Sequence, residues 1–530
     1  MKRNFRPLYL SLAFAFALAS CGTQKMVSTP VENIDNLPLK TTPVAENDLK
    51  RWSHLDLVKD TIPGMSVDKA YKELIKEKKG EKVIVGIVDS GVDINHEDLK
   101  AVIWTNPKEI AGNGIDDDKN GYIDDIHGWN FLGDAVHEQL EMTRIVKKGP
   151  GTPDYDKAKA QLEEELKGIQ PQKQQLDFIL NAEKTVATFL KKSDFTLEEV
   201  KAIQSDETGV KQAKAMFTQI LSKSTKAEFD AQIEEFKDYV YGQINYNLNV
   251  EFDGRKIVGD NPNDLNDTKY GNNNVVGPEP KEAKHGTHVA GIVAQVRGNN
   301  LGGDGVTNNA EILTVRAVPN GDEYDKDIAL GIRYAVDNGA KVINGSFGKY
   351  YSQQKEWVID AIKYAESKDV LVVIAAGNES FDLDVTNKYP NDTYDGSPEF
   401  AKNVLIIGAL SPAYGSKMIA DFSNYGKNNV DIYAPGDEIY ATTPLNTYEY
   451  LQGTSMASPN VAGVATLIRS YYPSLTAVQV KQIIMESGTP LKNTVTIGED
   501  KHKANFADAS KSGRIVNAYN ALVLAAKMAK

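Results

Sequence analysis

The sequence predicts an α/β protein built on a mostly parallel central sheet covered by helices, with an α-helical insertion in its first half. Three observations lead there. Short β-branched runs recur along the chain, helical stretches separate most of them, and one long charged segment with helix-start signals breaks the alternation.

The amino terminus opens on Lys2, Arg3 and Arg6, continues through an apolar run from Leu8 to Leu18, and ends on small residues before a cysteine. This is the pattern of an export signal over residues 1–20, and its apolar run is too short to span a bilayer. Leu18-Ala19-Ser20-Cys21 resembles the bacterial lipobox, which makes Cys21 the expected lipidation site and a membrane the expected partner of the amino terminus. The alternative is an ordinary cleaved signal followed by a chance cysteine. The expected location is the bacterial cell envelope, with the protein exported and lipid-anchored. Cys21 is the sole cysteine, so no disulfide framework is available. Residues 21–63 are polar and without periodicity, and read as a lipidated tether and lead-in.

From residue 64 to 526 the chain reads as one domain, interrupted at 134–249. A helix is expected from Val67 to Lys76. Lys82 to Val88 is a run dominated by β-branched residues ending at Asp89, the signature of a strand buried on both faces. Similar runs follow at Ile312 to Val318, Val342 to Asn344, Val370 to Ala375 and Val404 to Ala409, with helical stretches at Asp327 to Asn338 and Glu356 to Ser367. Within the insertion, Thr196 with Glu199 and Thr225 with Glu228 have capping-box spacing, and Phe229, Ile233, Phe236 and Val240 repeat at helical intervals. The segment from Glu251 to Pro280 is rich in Asn, Asp and Gly and reads as a long loop. It returns directly into His285, so the insertion is expected beside whatever site His285 serves.

The formal charge of −13 argues against a nucleic-acid partner. The chemistry lies in four settings. Asp89 stands at the end of a buried strand in Val88-Asp89-Ser90-Gly91. His285 opens His285-Gly286-Thr287-His288-Val289-Ala290-Gly291. Ser455 sits in Gly453-Thr454-Ser455-Met456-Ala457-Ser458-Pro459, entering a helix whose N-terminus favours negative charge. Asn378 follows Ala375-Ala376-Gly377 after another buried strand. Acyl transfer needs a nucleophile, a base, a group that orients the base and donors for the oxyanion, and these four side chains can supply them.

The four motifs, in the order Asp, His, Ser, resemble the subtilisin family of serine peptidases over roughly 52–133 and 271–526. The resemblance implies a subtilisin-like three-layer fold and serine endopeptidase activity on proteins or peptides. Asp89 would orient the imidazole, His285 would act as base and then acid, and Ser455 would attack the carbonyl. Asn378 and the Ser455 backbone N–H would form the oxyanion hole. Ser346, Phe347 and Gly348 look like the substrate-binding strand, and Ala376 and Gly377 would line the pocket for the side chain before the cut. Lys349 stands where relatives often carry glycine and is expected to narrow or charge the cleft edge. A binding or scaffold protein on a peptidase fold is the competing reading, and it gives no reason for all four chemical residues to be present.

A second site is suggested by Asp116, Asp118 and Asn120, with Gly121 for the turn, the Tyr122 carbonyl and Asp124. The first half of this stretch matches an EF-hand-type loop, which makes calcium the expected cofactor. An acidic turn with solvated charges is the other reading. Asn299-Asn300-Leu301-Gly302 also looks like a calcium loop of the family, with altered spacing downstream.

Overall fold

The computed structural model of the chain describes residues 44–529. The export signal and Cys21 lie outside the described residues. Among the described residues no helix is long and apolar enough to cross a membrane.

The strands, in chain order, are β1 Val83–Asp89, β2 Gly128–Asn130, β3 Ala310–Arg316, β4 Val342–Gly345, β5 Leu371–Ala375, β6 Val404–Leu410, β7 Ile432–Pro435, β8 Ile439–Thr443, β9 Thr447–Leu451, β10 Thr489–Pro490, β11 Thr494–Ile497, β12 His502–Asn505 and β13 Arg514–Ile515. Nine of them form one sheet in the order β10-β13-β7-β6-β5-β4-β1-β3-β2. All its pairings are parallel except β10 with β13. The expected strands are all present, shifted by a residue or two at their ends.

Every residue of β4, β5 and β6 is buried. A strand hidden on both faces can satisfy its backbone and its apolar side chains only inside a layered α/β core. Helices Asp325–Asp337 and Lys355–Ser367 pack on each other, as do Lys284–Ala294 and Thr454–Tyr471, and the sheet lies between such layers. Because the strands run parallel, their carboxyl ends collect at one edge, where ligand sites of open α/β sheets gather. β1 ends there on Asp89, β4 leads there into Ser346, and β5 into Ala376.

The lead-in differs from the expected polar segment. Trp52, Leu57 and Ile62 are buried in the main core, and Trp52 Nε1 donates to the carbonyls of Asp437 and Glu438 at 3.0 and 3.1 Å. The described part of 44–63 is thus packed structure, held by apolar side chains too sparse in sequence to show a period.

The insertion builds its own core from helices Glu141–Lys148, Tyr155–Leu190, Leu197–Ala202, Thr208–Leu221 and Lys226–Gly242. Both capping boxes form, at Thr196 and Thr225. Each satisfies helix-terminal N–H groups and contributes about 1 kcal/mol. Phe229, Ile233 and Val240 are buried and Phe236 is partly so, which turns the expected stripe inward. Lys281 and Lys284 face Asp238 and Glu235 of the last helix at 3.7 and 3.8 Å, placing it beside His285.

Candidate active site

The four side chains fall into two contacting groups near the carboxyl edge of the sheet, Asp89 with His285 and Asn378 with the turn that carries Ser455, linked through Ser346. Asp89 is 1% exposed, and its Oδ1 accepts from the Ser90 N–H at 2.7 Å and lies 2.6 Å from His285 Nδ1. Helix Lys284–Ala294 comes this close because residue 286 is glycine: a Cβ there would lie 2.1 Å from the Gly91 carbonyl oxygen. Burial opposes the imidazolium, but the Asp89 carboxylate and its hydrogen bond outweigh burial and hold His285 above its ordinary value. His288, one turn on, is different. Burial lowers it to about 3, and its Nε2 lies 3.1 Å from the Glu449 carbonyl, so it stays neutral and serves packing.

Ser455 lies in the first turn of helix Thr454–Tyr471, whose preceding residue Gly453 has φ +146, a conformation that glycine adopts without strain. Its Oγ donates to the Ser346 carbonyl at 3.1 Å rather than to His285, and its own carbonyl accepts from Ser346 Oγ at 2.8 Å. The nucleophile candidate is therefore tied to the segment after β4. Ser346 and His285 line one cavity of about 330 Å³, together with Ser90, Phe347, Gly348 and Glu323.

Asn378 is oriented by its neighbour. Its Oδ1 accepts from the Thr454 N–H at 2.8 Å and from Thr454 Oγ1 at 3.0 Å, which turns Nδ2 the other way. A Cβ placed on Gly453 would lie 3.5 Å from the Ser455 nitrogen and 3.6 Å from Asn378 Nδ2. Two N–H donors therefore border the same small space, kept open by the missing side chain.

Lys349 does not charge the cleft edge as expected. It is buried and pairs with Glu141 at 2.9 Å and Asp325 at 3.0 Å, while donating to the Glu323 carbonyl at 2.7 Å. Arg144 donates to the carbonyls of Asp322 and Glu323. Burial works against the Glu141 charge, yet Arg144 and Lys349 hold its carboxyl down to about 2. The root of the insertion thus supports the segment after β4 through buried ion pairs.

In the acidic loop, Glu109, Asp116 and Asp118 bring carboxylate oxygens within 4.8 Å of one another. Asp116 is held by the N–H groups of Asn120 and Gly121, and Asn120 Oδ1 accepts from the Tyr122 N–H. Asp124, expected as a ligand, is committed elsewhere: its carboxylate accepts from the N–H groups of Gly112, Asn113 and Gly114. Glu109 joins the cluster instead, and sequence spacing gave no sign of it because it precedes the loop. Among the described residues, Glu109 Oε2 is buried without a partner. Three clustered carboxylates, one of which keeps an unpartnered oxygen among the described residues, offer the oxygen donors that a hard divalent cation takes. At the second loop, Asn299 Nδ2 donates to Asp98 Oδ1 at 2.6 Å, and Asp98 Oδ2 is also buried without a partner.

A family model described as the Subtilase family matches residues 80–507, and the chain belongs to that family. It is similar to the thermophilic serine proteinase of Bacillus sp. (strain AK1), 38% identical over 239 residues, covering 45% of this chain and 52% of that one. Subtilisin DY of Bacillus licheniformis is 36% identical over 216 residues, covering 41% of this chain and 74% of that one. Thermitase of Thermoactinomyces vulgaris is 41% identical over 187 residues, covering 35% of this chain and 61% of that one. The chain spans about half the length of the Bacillus sp. proteinase it matches.

Proposed function

We propose that this subtilase is a serine endopeptidase acting on proteins or peptides through Asp89, His285 and Ser455. The observation that carries the reading is the 2.6 Å Asp89–His285 contact at the same sheet edge as Ser455 and Asn378. His285 Nε2 takes the Ser455 proton as Oγ attacks the peptide carbonyl, while Asp89 fixes the tautomer by accepting from Nδ1. The tetrahedral oxyanion receives N–H donors from Ser455 and Asn378. Collapse expels the amine with the proton from His285, and a water then releases the acyl group by the same steps in reverse order. Ser346, Phe347 and Gly348 bind the substrate backbone as an added strand, which suits extended or unfolded chains. The test is hydrolysis of a denatured protein, with release of internal fragments and inhibition by a fluorophosphonate. Failure of both in folded protein would refute the reading.

Asn378→Ala removes one of two oxyanion donors, and turnover should fall about 10²- to 10³-fold with little change in KM. Steady-state kinetics check this, and a fall under threefold would mean that Asn378 is not a donor in the transition state.

For the acidic loop, calcium held by Glu109, Asp116 and Asp118 is the reading supported by the orphan oxygen. A cation at a hundred times its dissociation constant stabilises by about 2.7 kcal/mol. Chelation should therefore lower the melting temperature of wild type and do less to Asp118→Ala. Equal responses would place the effect at another site or remove it.

Export and acylation at Cys21 are proposed from the amino-terminal pattern alone. Wild type should then partition with membranes after cell fractionation, and Cys21→Ser should be released or remain as unprocessed precursor. A wild-type protein with a free thiol at Cys21 would end this proposal.

A further inference from the structure

Two segments leave adjacent strands at the catalytic edge. Ser346-Phe347-Gly348 follows β4 and Ala376-Gly377 follows β5, and the parent strands pair in parallel with Gly345 opposite Ile374. Against Gly348 lies the side chain of Lys388. The loop that carries it is fixed by a backbone bridge, in which Lys349 N–H donates to the Tyr389 carbonyl at 2.9 Å and Tyr389 N–H to the Lys349 carbonyl at 2.8 Å. A Cβ on Gly348 would come 2.2 Å from Lys388 Nζ, so glycine at this exposed position is what lets the ammonium reach the wall of the cleft.

Lys388 is 3% exposed, and among the described residues it has no ion-pair partner. Its hydrogen bond goes to the Phe347 carbonyl at 3.0 Å. An ammonium carries three donors, so two remain without an acceptor. Lys349 next door is the contrast, with Glu141 and Asp325 both at ion-pair distance. The carboxylates that act on Lys388 through space are otherwise engaged or weakened. Glu379 accepts from the Tyr350 hydroxyl, from the Asn378 N–H at 2.8 Å and from Asn424 Nδ2 at 3.3 Å. Burial raises Glu323 to about 7. Burial lowers Lys388 to about 8, with Glu323 and Glu379 pulling the other way, so the amine keeps its proton at neutral pH. A buried cation with no carboxylate at ion-pair distance among the described residues is poorly compensated, and a carboxylate that arrives with the substrate relieves it.

We infer that Lys388 is a specificity-determining residue, and that the protein selects substrates with an acidic side chain, glutamate or aspartate, on the residue whose carbonyl Ser455 attacks. This rests on the reading of Ser455 as nucleophile given above. The acidic side chain enters against Gly348 and accepts from the two unused Lys388 donors, while Glu379, whose Oε2 lies 2.9 Å from a Cβ built on Gly377, keeps its own hydrogen bonds to Tyr350, Asn378 and Asn424. A lysine or arginine side chain in the same place meets a like charge, and a glutamine offers one neutral acceptor in place of a carboxylate.

The test uses the full chain and four peptides that differ only before the cut, with Glu, Gln, Leu or Lys. Wild type should hydrolyse the Glu peptide about 10- to 100-fold better than the Gln peptide in kcat/KM, the range expected for a charge-assisted pair. Lys388→Met should reduce the Glu to Gln ratio to about one, and Lys388→Arg, which keeps the charge, should retain a preference for Glu. A merely structural lysine would leave that ratio unchanged. A wild-type enzyme labelled at Ser455 by a fluorophosphonate, yet showing no preference for the Glu peptide, overturns this inference alone. Absence of both label and hydrolysis overturns the reading of function and this inference with it.

Discussion

Ser455→Ala should lower kcat for peptide hydrolysis by about 10⁶-fold, the scale set by removing the nucleophile of an Asp/His/Ser peptidase. With the hydroxyl gone, the Ser455 and Asn378 N–H donors still border the carbonyl position, so a residual rate of about 10³ to 10⁴ over the uncatalysed reaction persists. The fold should survive, because Ser455 Oγ makes one hydrogen bond, to the Ser346 carbonyl. Such a bond contributes about 1 kcal/mol, so the melting temperature should move little. Steady-state kinetics beside a thermal melt separate the two effects. A stable variant within a hundredfold of wild type would exclude Ser455 as the nucleophile.

Asp89→Asn should lower kcat about 10⁴-fold while leaving the backbone in place. The buried carboxylate accepts from His285 Nδ1 and from the Ser90 N–H. An amide at this position can present its N–H₂ to Nδ1, which favours the tautomer whose Nε2 carries the proton and so cannot act as base. The pH profile gives a second readout. Because Asp89 holds His285 above its ordinary value, the base is lost as pH falls through that raised pKa. The acid limb of kcat/KM in wild type should therefore have its midpoint above the ordinary histidine value of about 6.5. In Asp89→Asn the limb should move to lower pH, since the interaction that raises the pKa is gone. A limb that stays in place would mean that another group controls it.

The sheet and the site were legible in the sequence to different depths. β1 was readable to within a residue because a strand buried on both faces must be apolar throughout, and its change to Asp89 marks the point where it leaves the core. Asn378 and Ser455 stood out in the sequence through the short motifs around them and the resemblance those motifs carry, not through any period or composition. What escaped was decided by partners distant in the chain. Trp52 finds its acceptors at Asp437 and Glu438, and Lys349 turns inward because Glu141 stands ready to pair with it. Asp124 looked like a ligand by spacing, yet the N–H groups of residues 112 to 114 claim it. Lys388 gave no signal at all. Its place against Gly348 depends on the Lys349–Tyr389 bridge between two loops, and neither loop has a period to read.

Activation of Ser455 by the Asp89–His285 pair would make that hydroxyl selectively reactive, and covalent labelling reads this out. Folded protein treated with a fluorophosphonate and digested for mass spectrometry should carry a single adduct on the peptide containing Ser455. That adduct should be absent after heat unfolding and strongly reduced in Asp89→Asn. An adduct on a different serine, or equal labelling of folded and unfolded protein, would contradict the account.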